Sequence, residues 1–89
     1  MRAVVTVIGR DTVGIIAELT GVMRDNSVNI LDISQSVLQD MFAMVMLADI
    51  SKCGLEFSEL AARLEKAGVN KGVKVIIMHE DIFNSMHRI

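Results

Sequence analysis

A chain of 89 residues that is 52% hydrophobic, yet only 3% aromatic and without Trp, Tyr or Pro, has room for one core, built from Val, Ile, Leu and seven Met. Its net charge of −2, with Lys and Arg scattered singly, leaves no basic stripe for phosphates and no aromatic platforms for bases, which excludes nucleic acid as a partner. The single Cys53 can form no internal disulfide, and the longest apolar run, Met41 to Ala48, falls far short of the ~20 residues that span a bilayer, so a soluble cytoplasmic protein is expected.

The first predicted element is a strand over Arg2–Ile8, rich in β-branched residues and punctuated by Gly9. Asp11 or Thr12 is suited to cap the helix that follows, whose apolar face is Ile16, Leu19, Val22 and Met23. Asn26-Ser27 ends that helix, Asn26 tolerating the left-handed conformation common at helix ends. Asn29–Leu38 reads as a second strand and Met41–Ile50 as a third, with Gln39-Asp40 as the turn between them. Phe57, Leu60, Ala61, Leu64 and Ala67 make one face of a second helix, closed by Gly68. Val73–Met78 is the fourth strand. Asp81 then opens a short terminal helix with Ile82, Phe83 and Met86 on one side and His87-Arg88 at its end.

The order β-α-β-β-α-β predicts an α+β, ferredoxin-like sandwich formed by residues 1–89 as a single domain. Right-handed crossovers put both helices on one face of a four-stranded antiparallel sheet ordered 2-3-1-4, with the short C-terminal helix appended. Such a sheet should alternate apolar and polar residues, but Met41 to Leu47 is apolar on both sides. Val4 and Ile8 on the first strand, and Ile76 and Met78 on the fourth, add to the face away from the helices. Leaving roughly half a dozen such side chains wet would forgo about 9–18 kcal/mol, at ~1.5–3 kcal/mol each. A second copy of the chain is therefore expected to cover that face, by sheet-to-sheet packing or by side-by-side sheet extension, as a homodimer.

Chemistry-bearing residues are few. The methionines Met41, Met44, Met46 and Met78 sit at strand spacing and read as core rather than as a soft-metal site. His79 and His87 lack the spacing of a zinc site, and Cys53 has no base beside it, so neither metal, cofactor nor catalysis is expected. Gly9 and Gly14 form neither a dinucleotide fingerprint nor a phosphate loop. What remains is a glycine turn, Gly9-Arg10-Asp11-Thr12-Val13-Gly14-Ile15, opening a helix, followed beyond that helix by Asn29-Ile30-Leu31-Asp32 and Gln35. A helix start offers unpaired backbone N–H groups and the positive end of the macrodipole, so these patches point to binding. Helix capping by Asp11 and Gly14, a turn held by Asn29, and plain strand polarity for Asp32 and Gln35 are the quieter readings.

Gly-x-Asp-x-x-Gly-Ile at 9–15, with Asn29-Ile30 after one helix, resembles the ACT domain, a small-molecule-sensing βαββαβ module. Asn29 to Gln35, the Met-rich third strand and the Ile82-Phe83 ending extend the likeness over essentially the whole chain. These features are similar to the small stand-alone ACT proteins of bacteria and archaea and to the ACT modules of glycine-cleavage-system repressors. The resemblance implies a regulatory homodimer that binds an amino acid between the first loop of one subunit and the second strand of its neighbour. On that implication, Asp11 takes a ligand ammonium and Gly14 and Ile15 offer N–H groups to a carboxylate. Asn29 bonds through its amide, with Ile30, Asp32 and Gln35 as neighbours. The ACT domain is usually fused to an enzyme or DNA-binding domain, so a partner enzyme or regulator is expected as listener. The alternative is a ligand-free interaction module that docks a partner enzyme through its exposed sheet.

Overall fold

Alternation along β1 (Arg2–Arg10) decides how the molecule is layered. Val5 and Val7 are almost wholly buried on one side, while Thr6 is half-buried and Ile8 exposed on the other. In the computed structural model, which describes residues 1–10 and 14–86, the chain continues through α1 (Ile15–Asp25), β2 (Asn29–Leu38), β3 (Met41–Asp49), α2 (Phe57–Asn70), β4 (Lys74–His79) and α3 (Glu80–Met86). The sheet is antiparallel and ordered β2-β3-β1-β4, the ferredoxin-like order expected from the handedness of the crossovers.

One core lies between the helices and the sheet. Ile15, Leu19 and Met23 from α1 and Leu60, Leu64 and Ala67 from α2 pack on Val5, Val7, Met44, Met46 and Val75. Pairing places Val5 opposite Met46 and Val7 opposite Met44 and Val75, so these side chains share the helix-facing side. The methionines Met44 and Met46 are fully buried there, as unbranched side chains that fill the space under the two helices. Their alternates Ala43, Val45 and Leu47 face the other way and are only half-buried, so the doubly apolar third strand is as expected.

Several boundaries and roles differ from the sequence reading, each for a local reason. The buried stripe of α1 is Ile15, Leu19 and Met23; Ile16 and Val22 only flank it. Asn26 is not left-handed. Its amide donates to the Val22 carbonyl at 2.8 Å, and Ser27 takes the positive φ of 61° instead. Gln39, at φ 58°, makes the β2–β3 turn tight without glycine. The Ile82 and Met86 side chains of α3 are exposed, and only Phe83 of the expected trio is half-buried. The proposed Asp11 or Thr12 cap and the His87-Arg88 ending lie outside the described residues.

Gly68 does not close α2. The helix runs on to Asn70, and the turn out of it is made by Gly72 at φ 75°. A Cβ on Gly68 would lie 2.5 Å from Val75 Cγ2, so its lack of a side chain lets α2 settle against β4. Gly9 is likewise inside β1, where a Cβ would meet Val73 Cγ1 at 2.5 Å. No helix of the described residues is long and apolar enough to cross a membrane.

Candidate functional site

The first half of the residues expected to bind gathers where β1 hands over to α1. Gly14 holds the N-cap position with φ 84°, a left-handed conformation that glycine adopts without strain. The first α1 backbone bond runs from the Glu18 N–H to the Gly14 carbonyl at 3.0 Å, so the N–H groups of Ile15 to Ala17 precede the helical ladder. The Ile15 side chain is fully buried, which leaves only its backbone to meet a ligand. Asp11 lies outside the described residues.

A cation completes this end. Lys71, the C-cap of α2, brings its Nζ within 3.9 Å of where a Cβ on Gly14 would stand. Sequence spacing gave no hint of it, because the approach arises only when α2 ends beside the start of α1. An exposed ammonium next to open helix N–H groups favours a ligand carboxylate.

The second half opens β2. Val28 is buried, and Asn29 follows it into the strand, exposed and paired with Asp49. Asn29 and Ile30 border a surface depression of about 540 Å³ with Thr20, Arg24 and Ser27. Arg24 is a second cation that the sequence pattern did not single out. Ile30 sends its side chain toward the core, which limits it to backbone contacts. The register then slips between Ile30 and Asp32, leaving Leu31 as a bulge residue. Asp32 stands opposite Leu47 on the helix-free face and accepts a hydrogen bond from the Ile33 N–H at 2.9 Å. Gln35 stands opposite Met44 on the helix side, exposed. Asp32 and Gln35 therefore project from opposite faces of the sheet.

The two halves do not meet within one chain. Arg10, the last strand residue before the first loop, pairs with Met41, which pairs with Leu38 at the far end of β2. Asn29 pairs with Asp49, which pairs with Arg2. Gly14 and Asn29 thus belong to opposite ends of the sheet, separated by the length of the eleven-residue α1, or about 17 Å at ~1.5 Å per residue.

Next to Asn29 lies a small polar network. The Ser51 hydroxyl donates to Asp49 Oδ1 at 2.6 Å and the Ser51 N–H donates to the same oxygen at 2.9 Å. The hydroxyl first, then the N–H, hold the Asp49 carboxyl below its ordinary 3.8 despite some opposing desolvation. A carboxyl with a depressed folded pKa stabilises the fold above its unfolded value and loses that contribution as pH falls through the folded one. Ser51→Ala removes the first donor and keeps the second. Asp49 should then titrate closer to 3.8 by NMR, and an unchanged titration would assign the shift to other groups.

Among the described residues no group of three or more His, Cys, Asp or Glu could hold a metal ion. Comparison with known proteins gives one consistent answer. The family model of the ACT domain matches residues 2–77. A UPF0237 protein of Methanocaldococcus jannaschii is 53% identical over 99% of this chain and 98% of its own length. The solved ACT domain protein from Streptococcus pneumoniae is 36% identical and superposes with a TM-score of 0.81 over 98% of both chains. A structure described as a glycine cleavage system transcriptional repressor shares the fold at 20% identity and a TM-score of 0.71, over 86% of this chain and 44% of that one. Matched over most of its length by family model and relatives alike, this chain belongs to the ACT domain family.

Proposed function

We propose that residues 1–89 act as one regulatory, non-catalytic domain of the cytoplasm that binds a small amino acid or similar zwitterion as a homodimer. The observation that carries this reading is the character of β2. It is an edge strand of ten residues, and every one except Ile30 is exposed, including Ile33, Gln35 and Val37 on the side the helices should cover. An edge this long and apolar, whose outer side pairs with no other strand, is a template for another strand.

Antiparallel pairing of β2 with its copy, about a two-fold axis perpendicular to the sheet, extends the sheet to eight strands. It also turns the partner's strand end for end, carrying the second copy's β2 start toward the first loop of this one. The separated halves are then reunited across the seam. The Gly14 and Ile15 N–H groups and Lys71 receive the carboxylate, Asp11 the ammonium, and the amide of Asn29 from the other copy bonds the ligand from across the seam. Gln35 lies in the gutter between the two α1 helices, while Asp32 faces away and serves the seam rather than the ligand. A ligand at such a seam favours one dimer geometry by its differential affinity for it, and a partner enzyme or regulator reads that geometry.

A thermal-shift screen of the twenty common amino acids at millimolar concentration tests the reading. At about 100 times Kd a ligand adds ~2.7 kcal/mol, so the midpoint of unfolding should rise by several degrees. Asp11→Ala and Asn29→Ala should each abolish the rise while the unliganded protein stays folded. No rise with any amino acid would favour the ligand-free docking module.

A further inference from the structure

The groups that would hold a zwitterion by its two charges stand at one end of the sheet, and the side chains beside them are apolar. Gly9, Phe42 and Val37 form a cross-strand row at the end from which α1 starts. Phe42 and Val37 lie two residues from the pair of Met44 and Gln35, so they point to the helix side as that pair does. Phe42 packs against the core there, while Val37 is 69% exposed and Ile33, four residues back on the same side, 41%. The helix layer covers neither of these two.

The flank of α1 that overlooks this row begins apolar too. Thr20 and Arg24 share the surface depression with the start of β2, which turns their side of the helix toward that strand. Ile16, one turn before Thr20, lies on the same side and is half-buried. The Thr20 hydroxyl donates to the Ile16 carbonyl at 2.7 Å, so its one proton is committed to the helix. On β2 the polar member of the row Ile33-Gln35-Val37 is Gln35, about 7 Å further from the Gly14 end than Val37 at ~3.3 Å per residue. Arg24, the cation that Asn29 brings with it from the other copy, already pairs with Asp25 at 3.5 Å.

We propose that the ligand is an amino acid with an aliphatic side chain (valine, leucine or isoleucine), whose hydrocarbon lies between Ile16 of α1 and Val37 and Phe42 of the sheet while its charged groups meet the helix start. This rests on the zwitterion reading above and adds the side chain to it. Burial of apolar surface, rather than a hydrogen bond, then sets the selectivity. A polar side chain of similar size would lose its water against this wall and find no partner in exchange.

Calorimetry on the full chain with glycine, alanine, 2-aminobutyrate and valine tests it, because the series adds one carbon at a time and keeps both charges. Each carbon should tighten Kd about fourfold, roughly 60-fold from glycine to valine. Serine, which puts a hydroxyl where 2-aminobutyrate has a methyl group, should bind no more tightly than alanine. Val37→Thr, checked for folding by circular dichroism, should weaken valine several-fold and alanine little. A flat series, serine or aspartate binding more tightly than valine, or a folded Val37→Thr that holds valine as the wild type does would overturn the aliphatic assignment while the zwitterion reading stands. Silence from every amino acid, leucine and isoleucine included, would instead remove both.

Discussion

Leu64→Ala should cost about 2–5 kcal/mol of unfolding free energy, measured by chemical denaturation, and lower the melting midpoint by roughly 8–40 °C. Leu64 is fully buried at the centre of α2, in contact with the core that α1 and the sheet complete. Its truncation removes buried methyl groups and leaves a cavity that the surrounding core relaxes into only in part. In a domain whose whole stability is ~5–15 kcal/mol, this is a large share. The contrast is Val37, equally aliphatic and 69% exposed on β2. At concentrations where the chain is dissociated, Val37→Ala should change stability by less than ~0.5 kcal/mol. If Val37→Ala matched Leu64→Ala there, the assignment of β2 to the periphery would be wrong.

Gly68→Ala should also destabilise, against helix propensity. In an exposed helix interior the same change gains up to ~1 kcal/mol. Here the new methyl group would sit 2.5 Å from Val75 Cγ2 and 3.1 Å from the Val73 carbonyl oxygen, and the backbone oxygen cannot swing aside. Overpacking of this kind costs about 1–3 kcal/mol, so the net effect is a loss. Val75→Ala removes the side chain that would clash. A double-mutant cycle should therefore show coupling of about 1 kcal/mol or more, the pair being less destabilised than the sum of its singles. Additive singles would mean that α2 moves as a body and that the close approach of helix and β4 is not a constraint.

Gly68 marks where sequence reading stops. In the chain it looks like punctuation, since glycine after an amphipathic run most often ends a helix, and nothing in its neighbours announces that Val75 will come within contact distance. Element order, strand order and the doubly apolar third strand were legible, because periodicity and crossover handedness act locally or follow from topology. The left-handed residue after α1 was misplaced by one position, since both Asn26 and Ser27 can adopt it and the Asn26 amide was better used on the Val22 carbonyl. The residues proposed for the site were named one by one from motif, but their arrangement could not be read that way. That Gly14 and Asn29 lie at opposite ends of the sheet follows from strand register, and that Lys71 reaches Gly14 follows from helix packing.

Register also turns the site into a statement about two chains. If the first loop and the β2 start cooperate in one ligand, they do so from different copies, because a single copy holds them apart. Subunit mixing measures this directly. Asp11→Ala and Asn29→Ala proteins, each unresponsive alone, are unfolded together, refolded, and assayed for amino-acid binding by calorimetry. Random pairing of an isologous dimer makes half the dimers mixed, each with one intact site, so about a quarter of the wild-type sites should return. Binding that stays absent in the mixture, while wild-type protein refolded the same way binds fully, would show that both residues act within one chain and would contradict the account.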